Sequence, residues 1–329
     1  MKMGEQASKL NEVAAAATTE GVATAGAVAA VRTRPLSTWQ RWMQRPHQMW
    51  IRRALFQVHL WVGIGVGLYI LMISITGSAI VYRPQISRKY ARKPVVVQPS
   101  GPRMSEDELR QAAARLYQGY EVTAYFEAKK PTDAVAISLQ HNQAHMQRLF
   151  NPYTGADLGD PLSPMVRAVQ WMVDLHDNLL GGKTGRFVNG IGSIFATVLA
   201  LTGAIIWWPG VKNWRRGLTI KWGAKFPRWN YDLHSAVGFW FLLFVLMWGV
   251  TGIYLSFPQP FYAVFNWLDP NDNYTDTVLQ QFEFLHFGRY GVFWEGVWVA
   301  LGLVPAVLFV TGAVMWWKRV LSKGPRWPE

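Results

Sequence analysis

The sequence contains no cysteine, which removes disulfides, zinc–thiolate sites, iron–sulfur clusters and thiol nucleophiles from consideration. Charge is scarce as well: 16% of the 329 residues are Asp, Glu, Lys or Arg, against about 25% in soluble domains. Acids are the rarer sign, 20 against 33 Lys and Arg, for a net charge of +13. The first fifty residues also lack the roughly 7–15-residue apolar core of a signal peptide. What is abundant is hydrophobic: 50% of the chain, with 14% aromatics and 18 Trp, the residue enriched at bilayer interfaces. A mean hydropathy of only +0.06 requires that part of the chain be soluble.

Four apolar stretches free of charge run from Leu55 to Val81, Phe187 to Trp208, Ser235 to Phe257 and Gly296 to Trp317, of 27, 22, 23 and 22 residues. About 20 helical residues cross a bilayer, so these predict an all-α membrane protein, a four-transmembrane-helix bundle. Basic flanks set its orientation. Six Arg and no acid lie between Val31 and Arg53, and Lys212, Arg215, Arg216, Lys221, Lys225 and Arg228 fill the 209–231 loop. The 318–329 tail adds Lys318, Arg319, Lys323 and Arg326, whereas the 258–291 loop carries Asp269, Asp272, Asp276 and Glu283 against Arg289. Both termini and the 209–231 loop are therefore expected in the cytoplasm. Arg83, Arg88, Lys89, Arg92 and Lys93 depart from that pattern, but long loops translocate largely regardless of charge.

Residues 1–50 open with an Ala/Thr/Gly-rich run read as a disordered tail. Ser37 to Ile51, with Trp39, Trp42, Trp50 and interspersed Arg, suits a helix lying in the interface. These flanks account for much of the positive charge with no nucleic acid as partner and a lipid bilayer instead. Residues 84–162 form a small inserted α+β unit: Ser105-Glu106-Asp107-Glu108 starts a helix through Leu116, and 120–127, 134–140 and 144–150 alternate like strands. The unit shows no paired acids or nucleophile constellation. His141 and His145 flank its hairpin turn, and turn polarity accounts for them better than a metal does. The Trp-Trp pairs read first as an aromatic belt.

The chain repeats itself. His59, Val62-Gly63, Leu71-Met72 and Thr76-Gly77 match His234, Val237-Gly238, Leu246-Met247 and Thr251-Gly252 without a gap, and Thr202-Gly203-Ala204 matches Thr311-Gly312-Ala313. Histidine within an apolar span marks a functional site by default. His59 and His234 lie near one membrane face. His176 and His286 precede the second and fourth spans at the other, in the amphipathic segments 163–182 and Val278 to His286. Four imidazoles in two facing pairs suit bis-histidine haem in a bundle core, with Arg186 and Arg289 placed to hold propionates. Helix-to-helix hydrogen bonding by the same histidines is the alternative.

The segments Leu175-His176-Asp-Asn-Leu179-Leu180-Gly181, Thr184-Gly185-Arg186, Thr202-Gly203 to Trp207-Trp208-Pro209 and Leu285-His286-Phe287-Gly288 resemble the PepSY-associated transmembrane proteins, among them bacterial inner-membrane ferrisiderophore reductases. Phe150 to Gly159 resembles a PepSY strand and turn. The resemblance implies two haem b groups, one near each face, held by His59 with His234 and by His176 with His286. It implies a periplasmic PepSY-like domain at 84–162 and electron transfer from a cytoplasmic-side donor to a periplasmic ferric siderophore or other ferric chelate. With no flavin or nicotinamide domain, the donor is expected to be quinol or a separate cytoplasmic reductase. Two rival readings remain: an anchor that passes electrons between quinone and a partner redox subunit, and a PepSY structural or regulatory protein without cofactor. A transporter is disfavoured by spans without charge or breaks.

Overall fold

The computed structural model describes residues 36–142, 144–271 and 274–322; the expected disordered tail at 1–35 lies outside the described residues. The chain is mostly helical with one small antiparallel sheet. Helix α1 (Thr38–Gln44) is capped by Ser37, whose hydroxyl accepts from the Gln40 amide. It leads into the first apolar stretch, formed by α2 (Trp50–Gly65) and α3 (Gly67–Ile80), and then α4 (Arg83–Lys89).

The insert follows. Helix α5 (Glu106–Leu116) begins at the expected capping box: the Ser105 hydroxyl accepts from the Glu108 amide while the Glu108 carboxylate accepts from the Ser105 amide at 2.7 Å. Strands β1 (Glu121–Phe126), β2 (Val135–His141), β3 (Ala144–Phe150) and β4 (Asp157–Gly159) form an antiparallel sheet in chain order. Leu109 and Ala113 from α5 close against Val135, Ile137, Leu139 and Phe150, all fully buried. Strand β4 had no signature in the sequence, because three residues are too few to show alternation.

Helix α6 (Pro164–Asn178) carries His176 and leads into α7 (Gly182–Trp207). The third apolar stretch is α8 (Phe226–Trp240) followed by α9 (Leu242–Ser256). Then come α10 (Pro258–Leu268), α11 (Thr275–Phe287) carrying His286, α12 (Val292–Gly302) and α13 (Val304–Trp316). Gly182–Trp207 and Val292–Leu321 are each long and apolar enough to cross a membrane; α2 with α3 and α8 with α9 qualify if each bent pair is one span. The chain is thus a multi-pass membrane protein.

Those bends overturn the expectation of unbroken spans. The paired helices turn by 62° at Val66 and by 63° at Phe241, and the two break residues share nearly the same backbone angles, φ −105°, ψ 4° and φ −106°, ψ 9°. The break residues Val66 and Phe241 are themselves apolar and lie inside charge-free runs, so the breaks do not interrupt those runs. Its effect is visible in the packing. Helix α2 lies on α7 while α3 lies on α13; α8 lies on α13 while α9 lies on α7. Each bent span therefore packs one half against its own repeat and the other half against the opposite one. The fourth span is interrupted at Leu303 by Pro305, which lacks an N–H. The Ser74 hydroxyl bridges that interruption, donating to the Gly302 carbonyl and accepting from the Ala306 amide at 3.2 Å.

Candidate functional site

The exchanged packing encloses a cavity of about 2140 Å³ running along the helices, larger than the roughly 300–1,000 Å³ of ordinary ligand pockets. All four span-associated histidines line it. At one end the rings of His59, on α2, and His234, on α8, have centroids 6.5 Å apart with planes at 84°. At the other, His176 and His286 have centroids 6.3 Å apart with planes at 58°. Each pair draws one ring from each repeat. His141 is elsewhere, with Nδ1 donating to the Gly119 carbonyl at the insert's edge. Among the described residues, no group of three or more His, Cys, Asp or Glu is gathered to hold a metal ion.

The histidines nearest the insert side are placed by helix ends. Helix α6 stops two residues after His176, where Leu179 and Leu180 take left-handed angles of φ 51° and 60°, a conformation costing of order 1–3 kcal/mol per non-glycine residue. Asn189 donates to the carbonyls of His176 and Asp177, both at 2.9 Å, and the Tyr69 hydroxyl donates to the Asn189 side-chain oxygen at 2.7 Å. Helix α11 stops at Gly288, also left-handed (φ 66°), where a Cβ would meet the Trp298 ring at 2.3 Å. Here two indoles cap the helix: Trp248 donates to the His286 carbonyl and Trp298 to that of Leu285.

Sequence inspection found the four histidines but not their partners. Each Nδ1 lies at hydrogen-bond distance from a threonine hydroxyl on another helix: His59 to Thr202 at 3.1 Å, His234 to Thr311 at 2.9 Å, His176 to Thr76 at 3.1 Å and His286 to Thr251 at 2.8 Å. All four threonines belong to the repeated Thr-Gly pairs. That repetition was the available signal, but nothing in one strand of sequence shows which helix a threonine faces.

The electrostatics of the cavity are one-sided. Eleven Arg and Lys line it against the two carboxylates of Asp177 and Glu295. Arg52, Arg216, Arg228 and Arg319 stand toward the His59 end, with Arg319 lying 4.7 Å over the Phe56 ring. Arg83, Arg88, Arg186 and Arg289 stand toward the His176 end, so two of the basic residues that broke the charge pattern border this cavity. Arg186 is ion-paired with Asp177, and Arg289 covers the Phe287 ring at 4.6 Å. Three buried donors among the lining residues, Arg52 Nε, Trp208 Nε1 and Trp316 Nε1, have no hydrogen-bond partner. Unanswered buried donors beside excess positive charge are the complement of an anionic ligand.

The sequence matches the family model of the PepSY-associated TM region over residues 56–273 and 265–319. It is also similar to an uncharacterised protein of Pseudomonas aeruginosa, 27% identical over 88 residues, which is 26% of this chain and 21% of that protein.

Proposed function

We propose that this chain, which belongs to the PepSY-associated TM family, is a dihaem b-type electron-transfer protein of a bacterial inner membrane. It moves electrons from a cytoplasmic-side donor, quinol or a reductase, to a periplasmic acceptor, a ferric siderophore or other ferric chelate. Both termini then lie in the cytoplasm, the four apolar stretches form a four-helix bundle, and the 84–162 insert is periplasmic.

The observation that carries this reading is the pair spacing. With metal–nitrogen bonds of about 2 Å and ring nitrogens about 1.1 Å from their centroids, two imidazoles on one metal have centroids about 6 Å apart; the two pairs stand at 6.5 and 6.3 Å. The surroundings suit a flat, apolar, dianionic macrocycle. Gly63, Gly238, Gly203 and Gly312 line the cavity near His59 and His234 and leave room for a ring to approach the backbone. Bound there, a haem supplies a one-electron couple held away from water. His59 with His234, and His176 with His286, offer Nε2 as ligands. Arg52 and the indole N–H groups of Trp208 and Trp316 hold carboxylates at one end, and Arg186 and Arg289 do so at the other. At the acceptor, reduction of Fe(III) to Fe(II) weakens its hold on hard oxygen donors and frees the iron.

The test is an absorption spectrum of the purified full chain before and after dithionite. Two b-type haems per chain are expected, with His59→Ala removing one and His176→Ala the other. Protein from haem-replete cells without reduced b bands overturns the proposal. Re-oxidation of the reduced protein by ferric chelates is expected to be fast, and failure to re-oxidise removes the ferric-reductase assignment.

A further inference from the structure

We infer that Thr76, Thr202, Thr251 and Thr311 are positioning residues that fix the tautomer of the four ligand histidines and so set the potential of each haem; this rests on the dihaem reading above. A threonine hydroxyl has one hydrogen to give. In all four it goes to the carbonyl four residues earlier on the same helix: Thr76 to Met72 at 2.8 Å, Thr202 to Val198 at 2.7 Å, Thr251 to Met247 at 2.8 Å and Thr311 to Val307 at 2.8 Å. With its hydrogen so committed, each oxygen faces the imidazole as an acceptor, and Nδ1 must be the protonated nitrogen. His176 confirms the logic independently, because its Nδ1 also lies 3.1 Å from the Ile73 carbonyl, a group that can only accept. A neutral ring protonated at Nδ1 leaves the Nε2 lone pair free to bind.

The glycine that follows three of these threonines supplies clearance. A Cβ at Gly77 would stand 2.8 Å from Cε1 of His176, one at Gly203 3.2 Å from Cε1 of His59, and one at Gly312 3.4 Å from Cε1 of His234. The Cε1–Nδ1 edge of each of these rings therefore comes close to the helix that bonds it. Gly252 differs, its closest neighbour being Ser193, while Thr251 still bonds His286.

The assignment is crossed and therefore selective. Thr202 and Thr311 serve the His59–His234 pair; Thr76 and Thr251 serve the His176–His286 pair. An acceptor on Nδ1–H raises the basicity of the ligating nitrogen, which favours the ferric state. Deleting the threonine acceptors raises the potential of that haem alone, through His286 above all in the second pair, because the Ile73 carbonyl still faces Nδ1 of His176.

Redox titration of the purified full chain tests this with Thr202→Val/Thr311→Val, Thr76→Val/Thr251→Val, and the corresponding Ser variants. Each Val pair is expected to raise one of the two midpoints, by about tenfold in the ferric-to-ferrous affinity ratio, or about 59 mV for a one-electron couple. The other midpoint stays in place and the Ser variants behave as wild type. If a Val pair sheds its haem, retention by the matching Ser pair upholds the inference and loss from both overturns it. Unchanged midpoints in Val variants with full haem content overturn it while leaving the dihaem reading intact. A wild-type chain without haem overturns both.

Discussion

The insert and the membrane helices are built from opposite materials. In the insert the fully buried side chains are apolar: Leu109, Val135, Ile137, Leu139 and Phe150. Among the spans most buried residues are small or hydroxylated, including Gly67, Ser74, Thr76, Gly192, Thr202, Thr251 and Thr311, with Trp298 and Val304 among the exceptions, while Leu68, Leu243 and Val310 are exposed. The insert excludes water from hydrocarbon, so burial of apolar area holds it together. Lipid is as apolar as leucine, so the spans associate through close approach of small residues and hydrogen bonds between helices. The two regions accordingly fail in opposite ways, one when atoms are removed and the other when they are added.

The largest expected effect comes from removing atoms in the insert. Leu139→Ala should cost about 2–5 kcal/mol, read as loss of hydrogen-exchange protection across 121–150 while the spans keep theirs. Equal loss in both regions would dissolve the contrast. Next comes a single methyl added between spans. A Cβ at Gly192 would lie 2.3 Å from the Tyr69 ring, so Gly192→Ala should cost about 1–3 kcal/mol and lower the melting temperature in detergent. The same Gly→Ala change at exposed Gly101, which has open space around it but a left-handed φ of 85°, should leave the spans unaffected.

The smallest effect is a pH dependence confined to the insert. Burial pushes the Asp157 carboxyl up, but hydrogen bonds from Arg148, from the Tyr117 hydroxyl and from the Gly159 amide outweigh it and hold the group below its ordinary value. A depressed carboxylate contributes stability that is present above the unfolded pKa of about 3.9 and is lost as pH falls through the lower folded value. Proteolysis of the insert should therefore accelerate as pH drops below about 4, and Asp157→Asn should flatten that dependence without altering the spans.

Much of this was legible beforehand. The four apolar runs, the capping box at Ser105, the three longer strands and the histidine spacing were all written in local pattern, which one chain displays in full. The bends at Val66 and Phe241 were not, because neither a charge nor a proline interrupts the apolar run there and only the first is bracketed by glycine, Gly65 and Gly67. Helix α10 was also unseen inside a loop read by its charge. The threonine partners of the histidines lie 35 to 143 residues away in sequence, a pairing fixed only when helices choose neighbours. The sequence therefore displayed the histidines and concealed what orients them.

The exchanged packing at the two bends says something about symmetry. Since each histidine pair takes one ring from either half, neither half alone could form a pair. Two copies of a single two-span hairpin, related by a two-fold axis, would form both, because a symmetric dimer repeats each contact on the opposite partner. The present chain holds both halves of such an arrangement in one polypeptide. Within one polypeptide the two halves need not be identical, and among the described residues the insert between the first two spans has no counterpart between the third and fourth.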